Sequence, residues 1–161
     1  ETPVGFKYIA EKMVKGDVMI GGEESGGIGL KNHIPDRDGI LCSLLLVEMV
    51  ADAGKPPTKL VYDLLEEYGG HYYRRNDIHL EARKEVEKKS LDRPPESIGG
   101  YKVKSVESTD GVKLRFDDGW LLVRASGTEP VLRLYCEMDE AGKVDEILAE
   151  AEDYARNLAG E

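Results

Sequence analysis

The chain has 161 residues, with 22 Lys and Arg against 32 Asp and Glu and a formal net charge of −10 at pH 7. That length allows one ordinary domain or two small ones, and the negative balance argues against a nucleic-acid partner, because polyanion binding needs a basic surface. No apolar run approaches a membrane span and no signal-peptide pattern opens the chain, so no membrane partner is expected, and any phosphate site must be a local island of arginine.

In chain order, Phe6, Ile9, Ala10 and Met13 recur at helical spacing and Gly16 closes that segment before a short strand over residues 18–20. A helix feeding a strand is the tail of an α/β layer. Asp38 is placed to cap a helix over residues 39–53, with Gly54 as its stop and Pro56-Pro57 beyond. The apolar residues of that helix wrap widely enough to predict burial on more than one side. A second helix over residues 58–68 carries Leu60, Val61, Leu64, Leu65 and Tyr68 on one face, and Gly69-Gly70 stops it. This is the predicted domain boundary. Beyond it the pattern alternates: residues 72–80 read as a strand, and the charged stretch 81–90 as an exposed helix. Strands over 101–106, 112–116 and 120–124 follow, joined by Thr109-Asp-Gly111 and Asp117-Asp-Gly119, each with hairpin chemistry. A strand over 131–138 and a helix with Val144, Ile147, Leu148, Ala151, Ala155 and Leu158 on one stripe complete the chain. The fold expected is therefore an α/β segment over residues 1–70, followed over 71–161 by an α+β domain whose antiparallel sheet is covered by helices.

Two loops carry the chemistry. Arg124-Ala-Ser-Gly-Thr-Glu-Pro130 combines a cation, two hydroxyls and a glycine between two apolar runs, with Arg133 one short strand later. Successive amides at Ser126, Gly127 and Thr128 can curl around phosphate oxygens while a guanidinium offers a bidentate fork. The plain alternative is a polar strand connection. Gly21-Gly-Glu-Glu-Ser-Gly-Gly27 places carboxylates and a hydroxyl on a glycine-rich turn, so Glu23 and Ser25 can grip sugar hydroxyls; the alternative is a solvated turn. A phosphate cradle and a hydroxyl-reading loop in one chain suggest a sugar phosphate. His33, His71 and His79 are scattered without metal spacing, and Asp36-Arg-Asp-Gly39 lacks the remaining oxygens of a calcium loop, so no metal is assigned. Cys42 and Cys136 sit in apolar patterns and read as reduced thiols of a cytosolic protein, with a disulfide as the alternative.

These motifs resemble the α-D-phosphohexomutases, the family of phosphoglucomutase and phosphomannomutase. The Gly22-Glu-Glu-Ser-Gly26 run is similar to the sugar-recognition loop of the family's third domain, which puts Glu23 and Ser25 on sugar hydroxyls. The Arg124–Pro130 loop is similar to the phosphate loop of the fourth domain, which puts Arg124, Ser126, Gly127 and Thr128 on the non-reacting phosphate, with Arg133 beside them. Thr2-Pro-Val-Gly-Phe-Lys7 and Asp36-Arg-Asp-Gly39 fit the spacing around the first loop, and Gly5 joins the implied substrate-binding set.

The family's phosphoserine loop and its Asp-rich magnesium loop do not occur here. The resemblance therefore implies a C-terminal portion of a mutase, beginning within the third domain and inactive alone, whose missing N-terminal domains belong to the same parent chain. It further implies cytoplasmic isomerisation of glucose 1-phosphate and glucose 6-phosphate, with Mg2+ held elsewhere in the parent and glucose 1,6-bisphosphate as intermediate or activator. A lysine often stands where this chain has Arg37. Because arginine keeps its proton near neutral pH, Arg37 is assigned an electrostatic role, and no catalytic group is assigned. Mannose-type relatives carry a histidine where this chain has Gly27, which leans the substrate towards glucose. The other readings are a phosphomannomutase, a non-catalytic sugar-phosphate-binding module and a structural α+β domain. A truncated front half would expose a strand edge and an apolar helix face, so either self-association through residues before Gly70 or poor order of that half is expected, with the segment from His71 staying compact.

Overall fold

The computed structural model describes residues 1–16 and 18–160. It divides into two compact units, Glu1–Leu64 and Leu65–Glu161. The division falls inside a helix that the sequence reading places whole in the first segment, six residues before the predicted boundary.

The first unit opens with α1 (Phe6–Lys15) and a hairpin of β1 (Ile20–Gly22) and β2 (Ile28–Leu30). The strand expected over residues 18–20 thus lies further on, and its neighbour β2 supplies an antiparallel partner that the sequence did not announce. Glycine is what makes the pairing possible. Gly21 and Gly29 face each other across the ladder, and α1 lies directly on them. A methyl at Gly29 would come within 2.9 Å of Phe6 Cζ and 3.0 Å of Met13 Sδ, and one at Gly21 would collide with Ile9. The apolar-periodicity signal could not find these strands because two of the six residues that pair are small by necessity.

Helix α2 (Gly39–Ala53) has the predicted ends. Asp38 Oδ1 accepts from the amides of Ile40 at 3.0 Å and Leu41 at 2.9 Å, and Gly54 closes the helix in the left-handed region at φ 60°. The Leu41 amide, and after it His33, hold the Asp38 carboxyl below its ordinary pKa. Burial is the correction. No residue of α2 is buried, and Ile40 and Val47 are 79% and 68% exposed. Helix α3 (Pro57–Tyr68) likewise buries nothing. The reason is one of scale: a unit of this length has too little chain to cover an all-round apolar helix. Among the described residues of this unit, Phe6 is the one large side chain that is buried.

The second unit contains β3 (Tyr72–His79), α4 (Arg83–Asp92), β4 (Ser97–Ile98), β5 (Tyr101–Lys102), β6 (Ser105–Glu107), β7 (Val112–Arg115), β8 (Gly119–Ala125), β9 (Val131–Met138) and α5 (Ala141–Ala159). Five strands form an antiparallel sheet in the order β3-β9-β8-β7-β6, and β4 pairs with β5 as a separate small hairpin. The strand expected over 101–106 is two strands, broken at Val103 and Lys104, which belong to different ladders. Leu121, Val123, Leu132, Leu134, Cys136 and Met138 point to one face, which α4 and α5 cover. On α5 the predicted stripe is buried from Val144 to Ala155, with Leu158 half-buried at its end.

Helix α4 is not the exposed helix that its charge suggests. Val86 is fully buried and Ser90, one turn on, is buried beside it. A stripe of two small residues, among seven polar ones and an exposed Leu91, is too narrow to show as amphipathicity. Cys136 lies in the core as a free thiol, and burial, assisted by Glu137, pushes its pKa up to about 12. Cys42 is also a free thiol, with Sγ directed at the Ile28 carbonyl oxygen at 3.6 Å. Among the described residues no helix is long and apolar enough to cross a membrane.

Candidate functional site

The glycine-rich loop of the first unit is a tight hairpin turn. Glu23 accepts from the Gly26 amide at 3.0 Å, and Glu23 N–H donates to the Gly27 carbonyl at 2.9 Å. Gly26 has φ 87°, so the connection is a turn followed by a left-handed residue, a geometry that favours glycine at that position. Glu24 and Ser25 stand exposed at the tip, while Glu23 is folded inward.

Glu23 does not stand alone. Arg37 Nη1 donates to Glu23 Oε2 at 3.1 Å, and the guanidinium lies over the Phe6 ring with 5.3 Å to its centroid. The Asp36 carboxylate accepts from the Arg37 amide at 2.7 Å and stands 3.6 Å from its Nε. The stem of Arg37 crosses Gly27 so closely that any Cβ there would overlap its Cδ. A side chain at position 27 and Arg37 in this place exclude one another, which couples two positions that the sequence treats separately. Gly5 is the N-cap of α1, at φ 124°, immediately before Phe6. The structure thus gathers Glu23, Arg37 and Phe6, leaves Ser25 at the turn's tip, and uses Gly5 to start the helix that carries the ring.

In the second unit the loop 126–130 joins β8 to β9. Arg124 and Arg133 are direct partners across that ladder. Like charges directly opposite each other destabilise a sheet unless anions sit with them. Arg124 Nε donates to Asp110 Oδ2 at 3.0 Å, Arg133 Nη2 donates to Glu129 Oε2 at 2.9 Å, and Asp77 stands 3.8 Å from Arg133 Nε. That Nε is buried and has no hydrogen-bond partner among the described residues.

The loop is tied down from beneath. Ser126 N–H donates to the Val131 carbonyl at 2.8 Å, its Oγ accepts from the Glu129 amide at 3.2 Å, and its carbonyl accepts from Arg83 Nε at 3.0 Å. Glu87 takes the Ala125 amide through a very short hydrogen bond. Ser126 is buried by these contacts, and its hydroxyl helps to shape the turn. Gly127 and Thr128 are exposed, and their amides have no partner among the described residues. A Cβ on Gly127 would meet open space, so neither packing nor a positive φ accounts for glycine there. Glycine there leaves the backbone open to close approach.

The result is a candidate anion site: two facing guanidiniums, two neighbouring amides, and a loop whose backbone is already held. Arg83, Glu87, Asp77 and Asp110 were not visible as part of it from sequence. Only Arg83 and Glu87, four apart on a helix, carry a pattern, and nothing local says which loop they reach. Among the described residues no group of three or more His, Cys, Asp or Glu converges as a metal site.

Comparison with known proteins is consistent along the chain. Residues 1–68 match the model of phosphoglucomutase/phosphomannomutase α/β/α domain III, and residues 75–153 match that of the phosphoglucomutase/phosphomannomutase C-terminal domain. The chain is 36% identical over 148 residues to a phosphoglucomutase/phosphomannomutase of Thermococcus kodakarensis, covering 91% of this chain and 30% of that protein. It is 32% identical over 169 residues to a phosphoglucosamine mutase of Fusobacterium nucleatum, covering 98% of this chain and 31% of the relative. A solved structure of a Thermus thermophilus protein, described as a phosphomannomutase, superimposes with a TM-score of 0.74 at 40% identity, covering 94% of this chain and 30% of that one. The chain therefore spans about a third of the length of the curated relatives it matches.

Proposed function

We propose, from the premise that this chain belongs to the phosphoglucomutase/phosphomannomutase family, that it carries the sugar-reading and phosphate-holding parts of a mutase that interconverts glucose 1-phosphate and glucose 6-phosphate. The observation that carries this reading is the Arg124–Arg133 pair beside the unpartnered amides of Gly127 and Thr128. A phosphate placed there would accept from two facing guanidiniums that Asp110 and Glu129 already hold in place, and would take up two exposed amide donors at once.

The chemistry assigned to this chain is orientation. Arg124, Arg133, Gly127 and Thr128 hold the phosphate that is not reacting, and Ser126 shapes the loop that presents them. Glu23, aimed by Arg37, and Ser25 accept and donate to sugar hydroxyls. Positioning of this kind removes entropy from the barrier without breaking a bond. In the proposed parent reaction a phosphoryl group leaves a serine elsewhere for one end of the sugar phosphate, and the other phosphoryl group returns to it through a glucose 1,6-bisphosphate intermediate. No nucleophile for that transfer is assigned here, so this chain alone is proposed to be inactive; the cytoplasm is its proposed location. Glucose is favoured over mannose because Arg37 fills the space that a larger residue at position 27 would need.

Titration of the whole chain with glucose 1-phosphate, mannose 1-phosphate and glucose, followed by amide NMR, tests the reading. Both phosphates are expected to shift Gly127 and Thr128 in the millimolar range, glucose 1-phosphate the more strongly, while free glucose leaves them unmoved. Unshifted loop amides at saturating sugar phosphate would remove the proposal. We also propose self-association through the exposed apolar faces of α2 and α3, in which a second copy of the chain covers them. Sedimentation across a concentration series should show mass rising with concentration, and a constant monomer mass would refute it.

A further inference from the structure

Three carboxylates face the two arginines of the loop; Asp77 stands 3.8 Å from Arg133 Nε on the neighbouring strand, and the other two, which accept hydrogen bonds from the guanidiniums, are held in unlike ways. Asp110, on Arg124, is largely enclosed, with its side chain 29% exposed, whereas Glu129, on Arg133, is 60% exposed at the rim. The backbone of Glu129 is fixed on both sides, its N–H donating to Ser126 Oγ and its carbonyl accepting from Val131 N–H at 2.8 Å. Only its side chain reaches across to the guanidinium. It can swing into solvent without disturbing the loop, and it occupies the Nη2 edge of Arg133, two residues along the same loop from Gly127.

We propose that Glu129 is a built-in competitor for Arg133, which an incoming phosphate must displace and which screens the loop against singly charged anions. The inference rests on the phosphate reading of the loop given above. A tethered carboxylate acts at a high effective concentration, so a dissolved monocarboxylate gains nothing by replacing it. A phosphate dianion brings a second charge and further acceptor oxygens to both arginines together, and wins the exchange. The competition lowers apparent phosphate affinity by the fraction of time that Arg133 is uncovered. For an exposed ion pair of ordinary strength that factor is about two- to sixfold.

Titrations of the whole chain with inorganic phosphate and with acetate at constant ionic strength test this. The signals to follow are the amides of Gly127 and Thr128 and the Nε–H resonance of Arg133. Glu129→Gln is expected to bind phosphate about two- to sixfold more tightly than the wild type, and to show acetate-dependent shifts at Arg133 that the wild type lacks. Asp118→Asn, which removes one negative charge at a carboxylate 3.6 Å from Lys143, is the control for net charge and should leave both titrations unchanged. Equal phosphate constants for the wild type and Glu129→Gln would overturn the proposal, as would an equal gain in Asp118→Asn. Loop amides that ignore phosphate in every protein would instead overturn the phosphate reading, and this inference with it.

Discussion

Arg124→Ala is expected to weaken phosphate and glucose 1-phosphate binding at the loop about 10- to 150-fold, which from a millimolar start leaves no measurable affinity. A charge-assisted hydrogen bond contributes about 1.5–3 kcal/mol, and each 1.4 kcal/mol is a factor of ten. Two features of the structure argue for the upper part of that range. Arg124 is enclosed and held at Nε by Asp110, so its fork is already ordered before a ligand arrives. Its neighbour across the ladder is Arg133, so its removal also takes away the like-charge juxtaposition that makes an anion favourable there. Arg124→Lys should fall between wild type and alanine, because lysine keeps the charge and loses the planar fork. The measurement is the NMR titration described above, with amide dispersion as the check on folding. An alanine variant that binds within twofold of wild type would move the phosphate away from this loop.

Leu134→Ala is expected to destabilise the second unit by about 2–5 kcal/mol. Leu134 is fully buried in β9, the strand between β3 and β8. Its loss leaves a cavity beside a strand that is fixed by ladders on both sides and cannot collapse into it. Domains of this size have total stabilities of about 5–15 kcal/mol, so the change removes a large share. The single tryptophan gives the second unit its own optical probe. Trp120 lies in β8, directly opposite Glu137, with Lys113 Nζ 4.4 Å from its ring centroid and Tyr73 packed at 6.4 Å. Urea unfolding followed by its fluorescence should show a midpoint lower by about 1 M or more, given slopes of about 1–3 kcal/mol per molar urea. Leu44→Ala is the contrast: that side chain is 63% exposed on α2, and the same probe should register no change. An unchanged midpoint for Leu134→Ala would mean that β9 does not anchor the core.

Local signals read well from the sequence wherever the determinant lies within a few residues. The ends of α2 are set by an Asx cap and a left-handed glycine, both of which act over one turn. The bounds of β9 and the stripe of α5 follow from periodicities of two and 3.6 in strongly apolar segments. The two loops were legible for the same reason, since a run of hydroxyls, glycine and a cation is a local statement about chemistry. Their resemblance to a family added the order in which they occur.

What the tertiary structure decided are relations between residues that are far apart in the chain. That Arg124 faces Arg133 depends on the register of β8 on β9, and that Asp110 rests on Arg124 depends on how the β6–β7 turn meets the end of β8. The anchoring of the loop by Arg83 and Glu87 joins residues about 40 positions apart, separated by several strands. No periodicity encodes such a contact. The same holds for the crossing of Arg37 over Gly27 and for the pairing of Gly21 with Gly29 under α1, where a small residue is chosen by what must pass beside it. The exposure of α2 is the opposite case. Its sequence demands burial, and only the three-dimensional count of available chain shows that the first unit cannot supply it. Composition and spacing determined where the two candidate loops lie and which residue types they hold; long-range packing decided which side chains surround them, because those contacts exist only once the chain has closed on itself.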